Sequence, residues 1–116
     1  MLTRGMMVLG VVLLAGCVEE SEPVAEISSG IYDLNPDGCG EELSLTRLTV
    51  SGDNFRFYES ACRMEPVGPG PDGLQARLIC TGEGESFERR VNLRADGDFL
   101  DMMEDGERRR YHRCPV

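Results

Sequence analysis

The sequence predicts an all-β domain, a small antiparallel meander or barrel-like sheet of about six to seven strands stapled by two disulfides. Three observations predict it. From Gly30 onward, short runs of β-branched, aromatic and aliphatic residues alternate with turn signals. No window of a dozen residues keeps a helical period. Four cysteines, Cys39, Cys62, Cys80 and Cys114, form an even set downstream of what reads as an export signal.

The runs, in order, are Ile31 to Leu34, Leu43 to Val50, Asn54 to Glu59, Leu74 to Cys80, Phe87 to Leu93, Asp98 to Met103 and Arg108 to Arg113. Most breaks between them have specific turn chemistry: Ser51-Gly52-Asp53-Asn54, Gly82-Glu83-Gly84, Asp96-Gly97 and Asp105-Gly106. Alternation puts Phe55 and Phe57 on one face, Leu74, Ala76 and Leu78 on another, and Phe87, Val91 and Leu93 on a third, with Arg89 the exception among the last. Leu43 to Val50 changes phase, which a bulge near Arg47 would reconcile. Residues 64–73, with three prolines and three glycines, read as a surface loop between a front hairpin and a four-strand back half.

A domain of this size ordinarily needs reinforcement, and the four cysteines supply it. They allow three pairings. If Val50 faces Phe55, the hairpin register brings Cys39 near Cys62, which leaves Cys80 for Cys114, although an ideal meander sets the latter two at opposite strand ends. Structural zinc draws cysteines in pairs two to four residues apart, whereas these are separated by 23, 18 and 34.

The first residues, MLTRGMMVLGVVLLAGC, give one positive charge at Arg4, an apolar stretch from Met6 to Leu14 and the small pair Ala15-Gly16, the order of a secretory signal peptide over residues 1–16. Nine apolar residues at helical rise cover about 14 Å, against a hydrocarbon core of about 30 Å. The string Leu14-Ala15-Gly16-Cys17 resembles the lipobox of bacterial lipoproteins. That resemblance implies a diacylglycerol thioether on the Cys17 thiol, cleavage before it, and attachment to the membrane through lipid. Val18 and Glu19 follow, not the aspartate of an inner-membrane retention signal, so the resemblance implies the outer membrane, facing the periplasm. Residues 17–29, rich in glutamate and serine without a periodic apolar pattern, are expected to be a lipidated tether, leaving 30–116 as a single disulfide-bonded domain.

Beyond the leader the chain keeps all 21 acids and 11 of the 12 bases, a formal net charge of −10, and every base is arginine. Counterion release needs a basic face, so nucleic acid is not an expected partner, whereas a basic protein is. The one histidine, His112, stands in the run ERRRYHRC with no nucleophile motif elsewhere, and is expected on the surface of an edge strand. Arg108, Arg109, Arg110 and Arg113 make the one basic cluster; contact with phosphate or a lipid headgroup is conceivable, but carboxylate partners in a charged last strand are favoured. Asp96, Asp98, Asp101, Glu104, Asp105 and Glu107 gather acids without the spacing of a calcium loop, and two Asp-Gly turns explain them better. No catalytic, cofactor or metal residue is assigned.

The strings Tyr58-Glu59-Ser60-Ala61-Cys62 and Tyr111-His112-Arg113-Cys114 resemble those of small proteobacterial envelope lipoproteins, which implies a location without an activity. The expected function is a membrane-anchored, non-enzymatic module that binds a protein or supports assembly. An inhibitor of a lysozyme or protease is an alternative, since several such inhibitors are similar in size, lipidation and barrel architecture. The Ser-Gly-x-x-Tyr loop of the lysozyme inhibitors is not reproduced, since Ser29-Gly30-Ile31-Tyr32 is one residue short and lies at the domain's entry. A small-ligand or ion-binding barrel is the other alternative.

Overall fold

A computed structural model describes Gly10 and residues 27–116. Apart from Gly10, the expected signal peptide lies outside the described residues, as do Cys17 and the 17–29 segment up to Glu26.

Eight strands run in chain order: β1 (Gly30–Asp33), β2 (Arg47–Ser51), β3 (Asn54–Arg56), β4 (Ala61–Gly70), β5 (Gly73–Gly82), β6 (Glu85–Asp96), β7 (Phe99–Glu104) and β8 (Glu107–Arg113). Each pairs antiparallel with the next, and β8 returns to β1 through Tyr32↔Arg113 and Asp33↔His112, so the meander closes into a barrel. Two-residue connections account for most of the turns. In those after β5 and β7, Glu83-Gly84 and Asp105-Gly106 have φ of 51° and 80°, and 51° and 78°. These are the paired positive angles of a type I′ turn, whose twist matches the flanking strands.

Alternation decides which side chains fill the interior. Leu48 and Val50, Phe55, Leu78, Leu93, Leu100 and Met102 point inward from β2, β3, β5, β6 and β7 and are almost wholly buried. An eight-stranded barrel is just wide enough for side chains to fill, and burying each one contributes about 1.5–3 kcal/mol. The register Val50↔Phe55 is the one expected from the Ser51 to Asn54 turn.

The expected strand count falls short by one because residues 64–73 are not a loop: they form the far part of β4 and the turn into β5. Prolines are tolerated there because β3 pairs with β4 only at Ala61, Cys62 and Arg63, so Pro66 and Pro69 stand on an edge that asks for no ladder donor. A register shift between Pro66 and Gly68 leaves Val67 bulged.

The phase change in Leu43 to Val50 is a boundary, not a bulge. β2 begins at Arg47, while Leu43 and Leu45 lie in the β1–β2 connection with 65% and 67% of their surface exposed.

Both disulfides exist, but the pairing is Cys39–Cys114 and Cys62–Cys80. The expected Cys39–Cys62 assumed that β2 and β3 stay paired back to Leu43, whereas β3 ends at Arg56 and Cys62 has moved on to β4. A short 3₁₀ turn, Pro36–Gly40, capped by the Asn35 side chain, brings Cys39 to Cys114 just past β8. Nor is the last strand an edge, since β8 is paired on both sides.

Candidate functional site

Charge is divided by secondary structure. All eleven arginines of the described residues lie in strands, while the connections carry acids, among them Glu41, Glu42, Glu59, Glu83 and Asp105. An up-and-down barrel has two poles. The N-terminal pole holds the approach to β1, the end of β8 and the turns after β2, β4 and β6; the distal pole holds the loops after β3, β5 and β7, joined there by the later part of the β1–β2 connection around Leu43, while the 3₁₀ turn of that connection reaches back to Cys114.

At the N-terminal pole the chain is pinned by polar contacts. The Tyr32 hydroxyl donates to the Ser28 carbonyl at 2.7 Å, Arg113 donates to the Ser29 carbonyl at 3.0 Å, and the Ser29 hydroxyl accepts from the Gly52 amide at 2.9 Å. Ser29 and Tyr32, the residues nearest to an inhibitor-type loop, are thus occupied in holding the first strand, and Tyr32 is buried.

The distal pole is different in character. Leu43, Leu45, Tyr58 and Phe87 are exposed there, and Leu43 and Tyr58 line one shallow hollow with Phe57 and Arg56. Glu59, Glu83, Glu85, Asp105 and Glu107 surround these apolar groups. Inside the mouth, Arg89 donates twice to Glu104, at 3.0 and 2.7 Å, and its guanidinium lies 4.8 Å from the Phe57 ring. The hydrogen bonds from Arg89 hold the Glu104 carboxyl below its usual range despite partial burial. Arg89, the one charge on an otherwise apolar face of β6, is therefore satisfied by a diagonal neighbour on the adjoining strand β7.

The run Arg108 to Arg113 is split by alternation. Arg108 and Arg110 point outward and converge on Asp101, Arg110 through Nε at 2.8 Å and Nη2 at 3.0 Å, Arg108 through Nη2 at 2.7 Å. Asp101 is 1% exposed although it faces outward, because these two arginine side chains lie over it. The hydrogen bond from Arg110 foremost, with Arg108 adding to it, outweighs burial and lowers the Asp101 carboxyl to about 2. Arg109 takes the inward phase, opposite Met102, and Arg113 reaches the N-terminal pole.

A second buried acid, Asp33, closes the β1–β2 connection. Its Oδ1 accepts from the Thr46 hydroxyl at 2.5 Å and from the Asn35 amide at 3.0 Å. Burial raises its carboxyl, yet hydrogen bonding from Ser44, Thr46 and Asn35 and the charge of Arg47 carry it below the ordinary value. Arg47 ties the same connection down by donating to the Gly38 and Glu41 carbonyls at 2.8 and 2.6 Å.

The acids read together in sequence do not meet in space. Asp96 ends β6 and Asp98 lies in the turn that follows at the N-terminal pole, Asp105 sits in a turn at the distal pole, Asp101 faces outward and Glu104 inward. Among the described residues no three potential ligands gather around a common point. His112 lies on the outer wall with its ring edge-on to Phe99 at 5.1 Å. The apolar rim was missed because Leu43 and Leu45, two residues apart, read as the inner face of a strand. The change of apolar phase between Leu45 and Leu48 was the available signal.

No family model, curated protein or solved structure matches the chain.

Proposed function

We propose that the protein is a non-enzymatic docking module of the bacterial envelope, held to the membrane by lipid on Cys17, which receives a basic protein at its distal pole. One observation carries this: the pole opposite the arrival of the N-terminal segment joins exposed Leu43, Leu45, Tyr58 and Phe87 to a rim of carboxylates. A rim with an excess of carboxylates, although Arg109 pairs with Glu107 and Arg56 lines the hollow, steers a basic partner, and an apolar centre supplies the burial that retains it. A tether arriving at the other pole leaves the distal pole free to face away from the lipid. The barrel interior is occupied by side chains, which favours a surface as the working part over an enclosed ligand chamber.

The test is site-specific photo-crosslinking in the native envelope. A crosslinker at Tyr58 or Phe87 is expected to capture one basic protein, and one at Asp72 on the N-terminal pole to capture none of it. Capture should fall as salt rises. Equal yields from both poles, or an acidic captured protein, would overturn the reading. Intact mass of the native product tests the anchor separately: an unmodified Cys17 removes the membrane attachment without touching the docking surface.

A further inference from the structure

We propose that the outer trough over β4, β5 and β6 binds a glycerol-phosphate group, that is, a phosphate with neighbouring hydroxyls. The bulge between Pro66 and Gly68 bends β4 and turns Val67 outward, 61% exposed. Beside it opens a groove of about 520 Å³ whose lining includes Glu65, Val67, Gln75, Arg77, Arg90 and Asn92. Its volume lies in the range of small-molecule sites, about 300–1,000 Å³.

Two unmet demands face this groove. Arg77 and Arg90 are direct cross-strand partners, a like-charge pair that disfavours the sheet unless something neutralises it. Glu65 and Glu88 approach Arg77 at 3.6 and 3.3 Å, but no carboxylate of the described residues forms an ion pair with Arg90. Arg90, solvent-exposed beside the groove, is therefore the position open to an anion, and a phosphate, with more oxygens and charge than a carboxylate, serves two neighbouring guanidinium groups better. The second demand is Asn92, whose Oδ1 is buried without a hydrogen-bond partner. Gly70 leaves room beside it, since a Cβ there would come within 3.0 Å of that oxygen. An orphaned acceptor calls for a donor, which a phosphate ion at neutral pH supplies poorly and a hydroxyl supplies well. A polyol phosphate answers both at once. Free glycerol phosphate and the headgroup of phosphatidylglycerol carry the same chemistry.

The full chain is titrated by NMR with glycerol 3-phosphate, inorganic phosphate and glycerol. Glycerol 3-phosphate is expected to bind at least about tenfold more tightly than inorganic phosphate, with shifts confined to Gln75, Arg77, Arg90 and Asn92. Arg90→Gln should weaken both anions by tenfold or more. Asn92→Ala should erase the preference for glycerol 3-phosphate while leaving phosphate binding unchanged. Both positions face outward, and the spectrum of each variant reports its fold directly. Co-sedimentation with phosphatidylglycerol and phosphatidylcholine vesicles separates the sources: selective binding to the former that Arg90→Gln abolishes identifies a headgroup, and binding of the soluble ester alone identifies a free metabolite. Equal affinity for phosphate and its glycerol ester, undiminished binding by Arg90→Gln, or no saturable binding at millimolar ligand would each overturn the proposal. This site is independent of the distal pole, so either can fail alone.

Discussion

Cys62 and Cys80 stand directly opposite each other on β4 and β5, their Cα atoms 4.0 Å apart, so this disulfide spans one cross-strand rung inside the barrel. Cys39 and Cys114 are 75 residues apart in sequence and tie the first connection to the C-terminus across the seam where the barrel closes.

The two bridges constrain the unfolded chain unequally. By chain-entropy scaling, a loop of 18 residues contributes about 3 kcal/mol and one of 75 about 4.5 kcal/mol. Urea denaturation of the Cys39→Ala/Cys114→Ala and Cys62→Ala/Cys80→Ala variants checks the difference at the level of loop constraint. Under mild reductant the Cys39–Cys114 bridge should also open first, because Cys39 is half-buried whereas Cys62 and Cys80 are enclosed. Differential alkylation followed by peptide mass mapping gives the order.

Asp101 should govern part of the acid stability. Its carboxyl is lowered from 3.8 to about 2 by Arg110 and Arg108, so the folded state gains from its ionisation at any pH above the unfolded value, and that gain disappears as pH falls through about 2. Allowing for solvent screening on the exposed arginine side, the contribution is about 2 kcal/mol at neutral pH. Asp101→Asn is expected to lose about that much at pH 7, and the gap to the parent protein should narrow steadily between pH 4 and pH 2. Denaturant midpoints across that range are the measurement; a gap that stays constant with pH would refute the assignment.

How much of this was legible in the sequence depends on the range of the interaction. Val50 opposite Phe55 follows from four residues of turn chemistry, and the β class follows from alternation within runs. The β4 strand was hidden because Pro66 and Pro69 read as breakers, and only the early end of β3 makes a proline-tolerant edge there. Cys39–Cys114 was hidden for a related reason: it needs the closure of β8 onto β1, a relation between the two ends of the domain that no local pattern encodes. Of the surfaces, the acids of the distal pole were visible as turn residues, but their grouping around Leu43, Leu45, Tyr58 and Phe87 requires knowing which connections share a pole.

Two glycines separate backbone conformation from backbone crowding. Gly52 has φ of 60° with open space where a Cβ would go, so Gly52→Ala is expected to cost about 1–2 kcal/mol from the left-handed conformation alone. Gly73 has φ of 125°, and its Cβ would fall 2.3 Å from the Leu93 carbonyl oxygen on the neighbouring strand. Gly73→Ala therefore adds a clash with main chain to an unfavourable conformation and should cost about 3 kcal/mol or more. Thermal and urea denaturation of the two variants in parallel tests the ranking, and equal losses would contradict it.

The Arg89–Glu104 pair offers a test of how a charge is tolerated inside the mouth of the barrel. Both side chains are mostly covered, 17% and 23% exposed, and Arg89 also lies over Phe57 and near the Met102 sulfur at 3.8 Å. Removing one partner strands the other in a partly dry place, so Glu104→Leu or Arg89→Met alone should cost about 2 kcal/mol, less than the 3–5 kcal/mol of a fully buried pair because the mouth still admits water. Replacing both leaves two apolar side chains facing Phe57 and the core, and the double variant should be no less stable than the better single one. A double-mutant cycle by urea denaturation measures the coupling directly. Additive losses in that cycle would mean that water, not Glu104, satisfies Arg89.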